Sequence, residues 1–236
     1  MRPVTKINLG CGDIHPPGWV NVDGSNRAWI ASRLPWLDRF LVRTRVFPPT
    51  QFSAQVVYAN LLQRFPWPDA SADAFYLGEI LEHFTREQGA FVLGECRRVL
   101  KAGGRIRIRV PDHANFWHQY IEQYQAIRAK PKTDWSLEHT KWTAMYFETI
   151  CINRPKPWQS MGHFHKWMYD EVSLTLTLDQ AGFADPQRRR FHDSDIPGIA
   201  DVEARDDLIM EAVVSEHGHP VDGNPSATAR RDTVAP

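Results

Sequence analysis

Hydrophobic and polar positions along this chain separate into short apolar runs and helical stripes. Ile7 to Leu9, Trp19 to Val22, Gln55 to Ala59 (QVVYA) and Ala74 to Leu81 (AFYLGEIL) are four apolar runs of strand length. Thr85-Arg-Glu-Gln88 is a capping-box pattern, in which the Thr hydroxyl and the Gln side chain satisfy two backbone donors at a helix start. Val92, Cys96, Val99 and Leu100 then recur on one helical face, and Gly103-Gly104 is expected to close that helix. Arg105 to Val110 (RIRIRV) alternates strictly, which predicts a half-covered strand with isoleucines toward the core and arginines on the other side. Asp170 caps a helix carrying Leu174, Leu178 and Ala181 and stopped by Gly182. Arg188 to His192 and Leu208 to Val214 read as the last two strands.

Two stretches fit less simply. Residues 113–168 hold Trp117, Trp135, Trp142, Trp158 and Trp167 with Tyr120, Tyr124 and Tyr146, and read as two helices and an irregular loop inserted as a cap. Arg27 to Phe47 mixes arginines with large apolar residues. It reads as a helix with Trp29 or Trp36, Leu37 and Leu41 buried, and a membrane-surface or lipid-linked-substrate role is the sharper option. The resulting organisation is one domain over 1–216, including the cap at 113–168, and a polar, disordered tail at 217–236.

The opening stretch, INLGCGDIHPPGWVNVD, poses a problem of space. A Gly-x-Gly turn follows the first strand, yet the second strand starts almost at once, and Pro16-Pro17 disfavours a helix between them. Parallel strands normally need a crossover of a dozen or more residues. Residues 10–18, if extended, span at most roughly 30 Å, against roughly 17 Å to run back along a five-residue strand. A return without a helix is therefore feasible, and the first crossover is expected to be shortened.

Composition narrows the function. Lys plus Arg and Asp plus Glu each number 28 in 236 residues, so the basic footprint of a nucleic-acid binder is absent. The three cysteines are odd in number and far apart, which suits a reducing compartment. No charged-then-apolar leader and no apolar run of roughly 20 residues is present, so a cytoplasmic protein without an integral membrane segment is expected. A strand, a Gly turn, a strand ending in an acid and further βα units make a doubly wound α/β plan. The dinucleotide version is disfavoured: His15 stands where the third Gly of G-x-G-x-x-G belongs, and Asp23 arrives early. A phosphate loop is absent.

INLGCG, Asp23 closing the second strand, YANLLQRFPWPDASADAFYLGEILEHF and ECRRVLKAGGRIRIRVPD resemble the successive motifs of class I S-adenosylmethionine-dependent methyltransferases, specifically the bacterial type 11 group. GHFHKWMYDEVSLTLTLDQAGF is similar to the segment before the sixth strand of its members. Ala102 stands where the family usually has Pro, and Asn60 where an acid is frequent. The resemblance implies a Rossmann-like, doubly wound, seven-stranded and mostly parallel sheet with helices on both faces. It implies S-adenosylmethionine as cofactor, bordered by Asn8, Gly10, Cys11, Gly12, Asp23, Asn60, Leu61 and Glu79. Gly10 and Gly12 would let the backbone approach the methionine half. Asp23 would take the ribose hydroxyls and the Asn60 amide the adenine edge.

Glu79-Ile-Leu-Glu82-His83 resembles the E-x-x-E-H of ubiquinone-pathway O-methyltransferases, where a divalent ion can hold the acceptor oxygen. Glu79, Glu82 and His83 are accordingly the candidate metal ligands. Candidate catalytic bases are His83, His113 after the fifth strand, and His163 with His165 in GHFHKW, since a neutral imidazole can take a proton from a hydroxyl near neutral pH. The expected activity is O-methylation of a small-molecule or glycan acceptor. N-methylation, and a catalytically silent cofactor-binding module that partners a glycan-processing enzyme, stay open.

Overall fold

The computed structural model describes residues 5–47, 56–147 and 165–215. Seven strands form one sheet in the order β3-β2-β1-β4-β5-β7-β6. They are β1 (Lys6–Leu9), β2 (Val20–Asp23), β3 (Val57–Tyr58), β4 (Ala72–Gly78), β5 (Leu100–Val110), β6 (Ala184–Arg188) and β7 (Leu208–Val213). The pairs from β3 through β5 are parallel, and β7 runs antiparallel to both of its neighbours. Strand order reverses between β1 and β4, and such a switch point opens a crevice beyond the carboxyl ends of the strands.

The shortened crossover is present. Residues 10–19 contain no helix, yet Ile7 pairs with Val20 in parallel register. Two buried amides hold the return. Asn8 Nδ2 donates to the Ile14 carbonyl (2.8 Å) and to Asn21 Oδ1 (3.1 Å), while Asn21 Nδ2 donates to the Pro16 carbonyl (3.0 Å). A loop that must lie against a sheet carries backbone carbonyls with no ladder partner, and these side chains supply the missing donors.

One face of the sheet is covered by helices. α3 (Arg86–Val99) contributes Val92, Leu93, Cys96 and Val99, and α6 (Glu171–Gln180) contributes Leu174 and Leu178, against Ile7, Leu9, Phe75, Leu77, Ile106 and Ile108. Both starts are capped as expected: Thr85 and Gln88 close a capping box on α3, and Asp170 and Ser173 close one on α6. The end of α3 differs from expectation. Leu100 is already extended, and Gly103, at φ +72°, lies inside β5, where its N–H donates to the Val214 carbonyl at 2.9 Å. The glycines thus turn a bulged strand instead of closing the helix.

The second face also departs from the expected half-covered strand. Arg107 and Arg109 are buried: residues 189–203 fold over Arg107, and Arg109 bonds to Tyr76 and Glu79. Trp19, Tyr76, Ile196, Ile199 and Val202 make a separate apolar cluster on this side. The expected strand at 188–192 is displaced toward the N-terminus, to Ala184–Arg188, which leaves residues 189–193 free to bend over the arginines.

Residues 26–43 form two helices, not one, because Pro35 begins a new helix: α1 is Asn26–Arg33 and α2 is Pro35–Arg43. Their buried residues are Arg27, Ala28, Ala31 and Asp38, with Arg27 paired to Asp38 at 3.5 Å. Trp29, Trp36 and Phe40 are exposed, and Leu37 and Leu41 only half-buried, so the expected apolar face is not the packed one. Small residues allow α1 to lie close to Cys11, Val56 and Tyr58.

The cap stretch includes the two expected helices, α4 (His113–Arg128) and α5 (Thr140–Phe147). Its aromatics pack largely on one another: Trp117 meets Tyr120 edge-on, Tyr120 stacks on Tyr124, and Phe116 meets Trp142. His163, Trp158, Cys151 and the tail at 217–236 lie outside the described residues. No helix among the described residues is long and apolar enough to cross a membrane.

Candidate active site

The turn after β1 and the acid ending β2 are joined. Gly10 and Gly12 have φ of +67° and +49°, a region L side chains rarely adopt. Between them Cys11 N donates to the Val22 carbonyl at 2.9 Å, and Gly12 N donates to Asp23 Oδ2 at 3.1 Å. Asp23 Oδ1 accepts from Ser25 N at 2.7 Å, so each carboxylate oxygen keeps acceptor capacity while the group is fixed by backbone. A Cβ at Gly12 would meet nothing within 4 Å, whereas one at Gly10 would lie 2.3 Å from Ile80 Cδ1. Gly12 therefore borders open space, and Gly10 packs under the residue that follows β4. Burial, and then the Asp23 charge, push the Cys11 thiol well up, which keeps it neutral.

The other expected cofactor contacts divide. Asn8 is buried, and its amide is engaged by the return loop, so it shapes the turn from below. Asn60 is exposed next to the β2 and β3 ends, with its Oδ1 accepting from Leu62 N (3.0 Å) in a local turn. Leu61 is part of the main apolar core. Glu79, just past β4, has φ +51°, and is held there by its N–H to the Arg109 carbonyl (2.8 Å) and by Arg109 Nη1 on its carboxylate (2.9 Å). Such conformations persist only where the surroundings over-determine them.

That ion pair engages one of the three expected metal ligands. Glu79 faces Arg109, and the residues that come together are Glu82, His83 and His165, each offering a ligand atom within 4.8 Å of the others. Glu82 and His83 belong to a 3₁₀ turn, Leu81–His83. The chain bearing His165 is docked onto that turn by Lys166 N and Trp167 N, which donate to the Glu82 carbonyl at 2.8 and 3.2 Å. The rings of His83 and His165 meet edge-on with centroids 5.0 Å apart. Burial pushes the Glu82 carboxyl up to about 8, with the Glu79 charge adding to the rise. The spacing Glu82-His83 was a usable signal in the sequence; the third member lies too far along the chain for spacing to reveal.

His113 starts α4, where its N–H donates to the Tyr169 carbonyl at 2.9 Å. Its Nε2 accepts from Trp117 Nε1 at 2.8 Å, and desolvation lowers its pKa, so the ring is kept neutral but engaged. It is not part of the Glu82, His83, His165 group. Sequence reasoning missed Ile80 over Gly10, and Tyr76, whose hydroxyl accepts from Arg109 Nε at 3.2 Å and so helps to fix the partner of Glu79.

Residues 40–108 match the family model of a methyltransferase domain, type 11. Similar solved structures include an S-adenosylmethionine-dependent methyltransferase from Methanosarcina mazei, 14% identical, with TM-score 0.48 over 92% of this chain and 95% of that one. Another, from Archaeoglobus fulgidus, is 14% identical, with TM-score 0.46 over 90% of this chain and 86% of that one. A third is described as a putative O-methyltransferase from Nostoc punctiforme. It is 11% identical with TM-score 0.42, and 90% of this chain aligns with 53% of that one. The family match runs through β3, β4, α3 and most of β5, and the sheet outside it completes the 3-2-1-4-5-7-6 order with β7 antiparallel. The match and the sheet order agree: residues 40–108 are similar to a type 11 methyltransferase domain, and the seven-stranded sheet has the order expected of the class I methyltransferase fold.

Proposed function

We propose that the enzyme methylates a hydroxyl of a small molecule or glycan. S-adenosylmethionine, when bound, supplies an electrophilic sulfonium methyl. The residues present fit that cofactor: the Gly12 turn borders open space, and Asp23 is an anchored, acceptor-only carboxylate beside it. In this reading the Gly10-Cys11-Gly12 backbone seats the methionine half, Asp23 takes the ribose hydroxyls, and Asn60 borders the adenine. Glu79 fixes Arg109 at the mouth of the crevice. Residues 113–168 serve as the acceptor cap, with the α4 aromatics and Trp142 offering flat faces for a sugar or planar ring.

The observation that supports an oxygen acceptor is the pair of imidazoles, His83 and His165, beyond the carboxyl end of β4 and beside the switch point. A hydroxyl must lose its proton as it attacks, and an imidazole at that place can accept it, contributing typically about 10²–10⁴-fold. Positioning of the acceptor in line with the methyl supplies the larger part. His113 is the alternative base, although its bond from Trp117 must first break.

Incubation with methyl-labelled cofactor and a panel of phenols, sugars, sugar nucleotides and amines tests this. Label on oxygen, established by mass spectrometry of the product, supports the reading. Label on nitrogen alone replaces it with N-methylation. Tight S-adenosylhomocysteine binding without turnover on any acceptor replaces it with a silent cofactor-binding module.

A further inference from the structure

We propose that Glu82, His83 and His165 bind one divalent transition-metal ion at the acceptor end of the crevice. Three features carry this. First, one ligand atom from each of the three residues lies within 4.8 Å of the others, a span that a single ion can gather with small side-chain adjustments. Second, Glu82 is only 1% exposed, and neither of its carboxylate oxygens has a hydrogen-bond partner on another of the described residues. A sealed carboxylate without donors is strongly disfavoured unless it stays protonated or a cation joins it. Third, the two chain segments are fixed to each other by backbone, through Lys166 and Trp167 on the Glu82 carbonyl, so the ligands are held before any ion arrives.

The donor set names the class of ion. Two imidazole nitrogens and one carboxylate suit zinc, iron(II), manganese or cobalt, while magnesium and calcium favour all-oxygen sites. Three protein ligands leave at least one position for water or an acceptor oxygen. The ligand set differs from the one expected from sequence spacing, because Glu79 is paired with Arg109. The inference rests on the hydroxyl reading and changes the part of the two imidazoles in it: as ligands they no longer take the proton, and an ion there would instead hold and acidify the acceptor oxygen. Its test does not require turnover.

The full chain, stripped with chelator and dialysed, is titrated with zinc and with cobalt, and metal content is measured by mass spectrometry. One equivalent is expected per chain, with visible d–d absorption for cobalt. Glu82→Gln and His165→Ala should each weaken cobalt binding by more than about 100-fold, beyond the roughly 10–100-fold that loss of an outer partner costs. Glu79→Gln should change it far less than either. Calorimetry with S-adenosylhomocysteine on the same variants reports that they are folded. Sub-stoichiometric metal in the parent protein, or unchanged affinity in folded His165→Ala, overturns the site and leaves Glu82 as a protonated core acid. Stoichiometric metal without cofactor binding keeps the site and overturns the methyl-transfer reading instead.

Discussion

Arg107 and Glu203, far apart in sequence and both fully buried, meet in a two-bond fork: Nε to Oε1 and Nη2 to Oε2, each 2.8 Å. The remaining guanidinium donors reach Glu211 (3.2 Å) and the carbonyls of Asp193 (2.8 Å) and Arg190 (2.9 Å). Every donor direction of the arginine is used, and the pair fastens residues 189–203 to β5. Removing Glu203 leaves the buried Arg107 with Glu211 alone, and removing Arg107 leaves Glu203 buried without its guanidinium. Glu203→Gln and Arg107→Met are expected to destabilise by about 3–5 kcal/mol, read from urea midpoints by circular dichroism. A loss under about 1 kcal/mol would mean that the second face is held by its apolar cluster alone.

The acid side of the stability profile should depend on Glu95. Its hydrogen bonds from Arg98, at 2.7 and 2.9 Å, with Phe65 N on the same carboxylate, hold its pKa below the ordinary 4.5. A depressed folded pKa means that the unfolded chain takes up the proton first as pH falls. The contribution is therefore complete above about pH 4.5 and disappears as pH falls through the lowered folded value. Glu95→Gln should remove part of the acid slope and leave the pH 7 to 8 limb parallel to that of the parent. Identical slopes between pH 5 and 3 would show the bond to be absent in solution.

These two sites also mark what the sequence can and cannot reveal. The alternation RIRIRV gave the strand and the two faces of β5, but alternation says only that a face differs, not what lies on it. The cover is an irregular segment whose acids sit some hundred positions away, and such pairing has no local signature. The capping boxes at Thr85 and Asp170 were legible because both partners lie within one helical turn. The contact between the GCG turn and Asp23 was legible for the same reason, as the two are bonded neighbours across a short return. His165 joined Glu82 and His83 only through backbone docking, and Glu79 left the group because Arg109 captured it.

Around α1 and α2 the periodicity misled. Trp36 is 65% and Phe40 58% exposed, while Asp38 between them is buried with Arg27. A break at Pro35 rotates the second helix and presents its small and polar side inward. Trp36→Ser and Phe40→Ser should therefore shift stability by no more than about 0.5 kcal/mol, as for other surface changes. Asp38→Ala removes a buried carboxylate that pairs with Arg27 and should cost several times more. Equal effects in thermal melts would return the tryptophan to the core.

Cofactor affinity should respond to Asp23 more than fold does. Asp23→Ala is expected to weaken S-adenosylhomocysteine binding by about 1.5–3 kcal/mol, the range for hydrogen bonds to a charged group. Asp23→Asn keeps one acceptor oxygen for Gly12 or Ser25 and should lose less stability, while still losing much of the affinity. Calorimetry on both, with melts as control, separates the two effects. Unchanged affinity in both variants removes Asp23 from the cofactor site.

Gly10 and Gly12 look equivalent in the sequence and should not behave alike. Both occupy positive φ, so an alanine at either pays about 1–2 kcal/mol of backbone strain. At Gly10 the new Cβ would also lie 2.3 Å from Ile80 Cδ1 and 3.1 Å from Ile80 Cβ, so the residue behind β4 must move. Gly10→Ala is thus expected to lower the melting temperature more than Gly12→Ala does. At Gly12 the Cβ enters open space, which in the proposed reading is where the methionine half lies. Gly12→Ala should therefore remain folded and lose cofactor affinity by tenfold or more, as expected for about 1.4 kcal/mol or greater. If Gly12→Ala binds S-adenosylhomocysteine as the parent does, the open side of the turn is solvent, and the cofactor must approach from the Asn60 side instead.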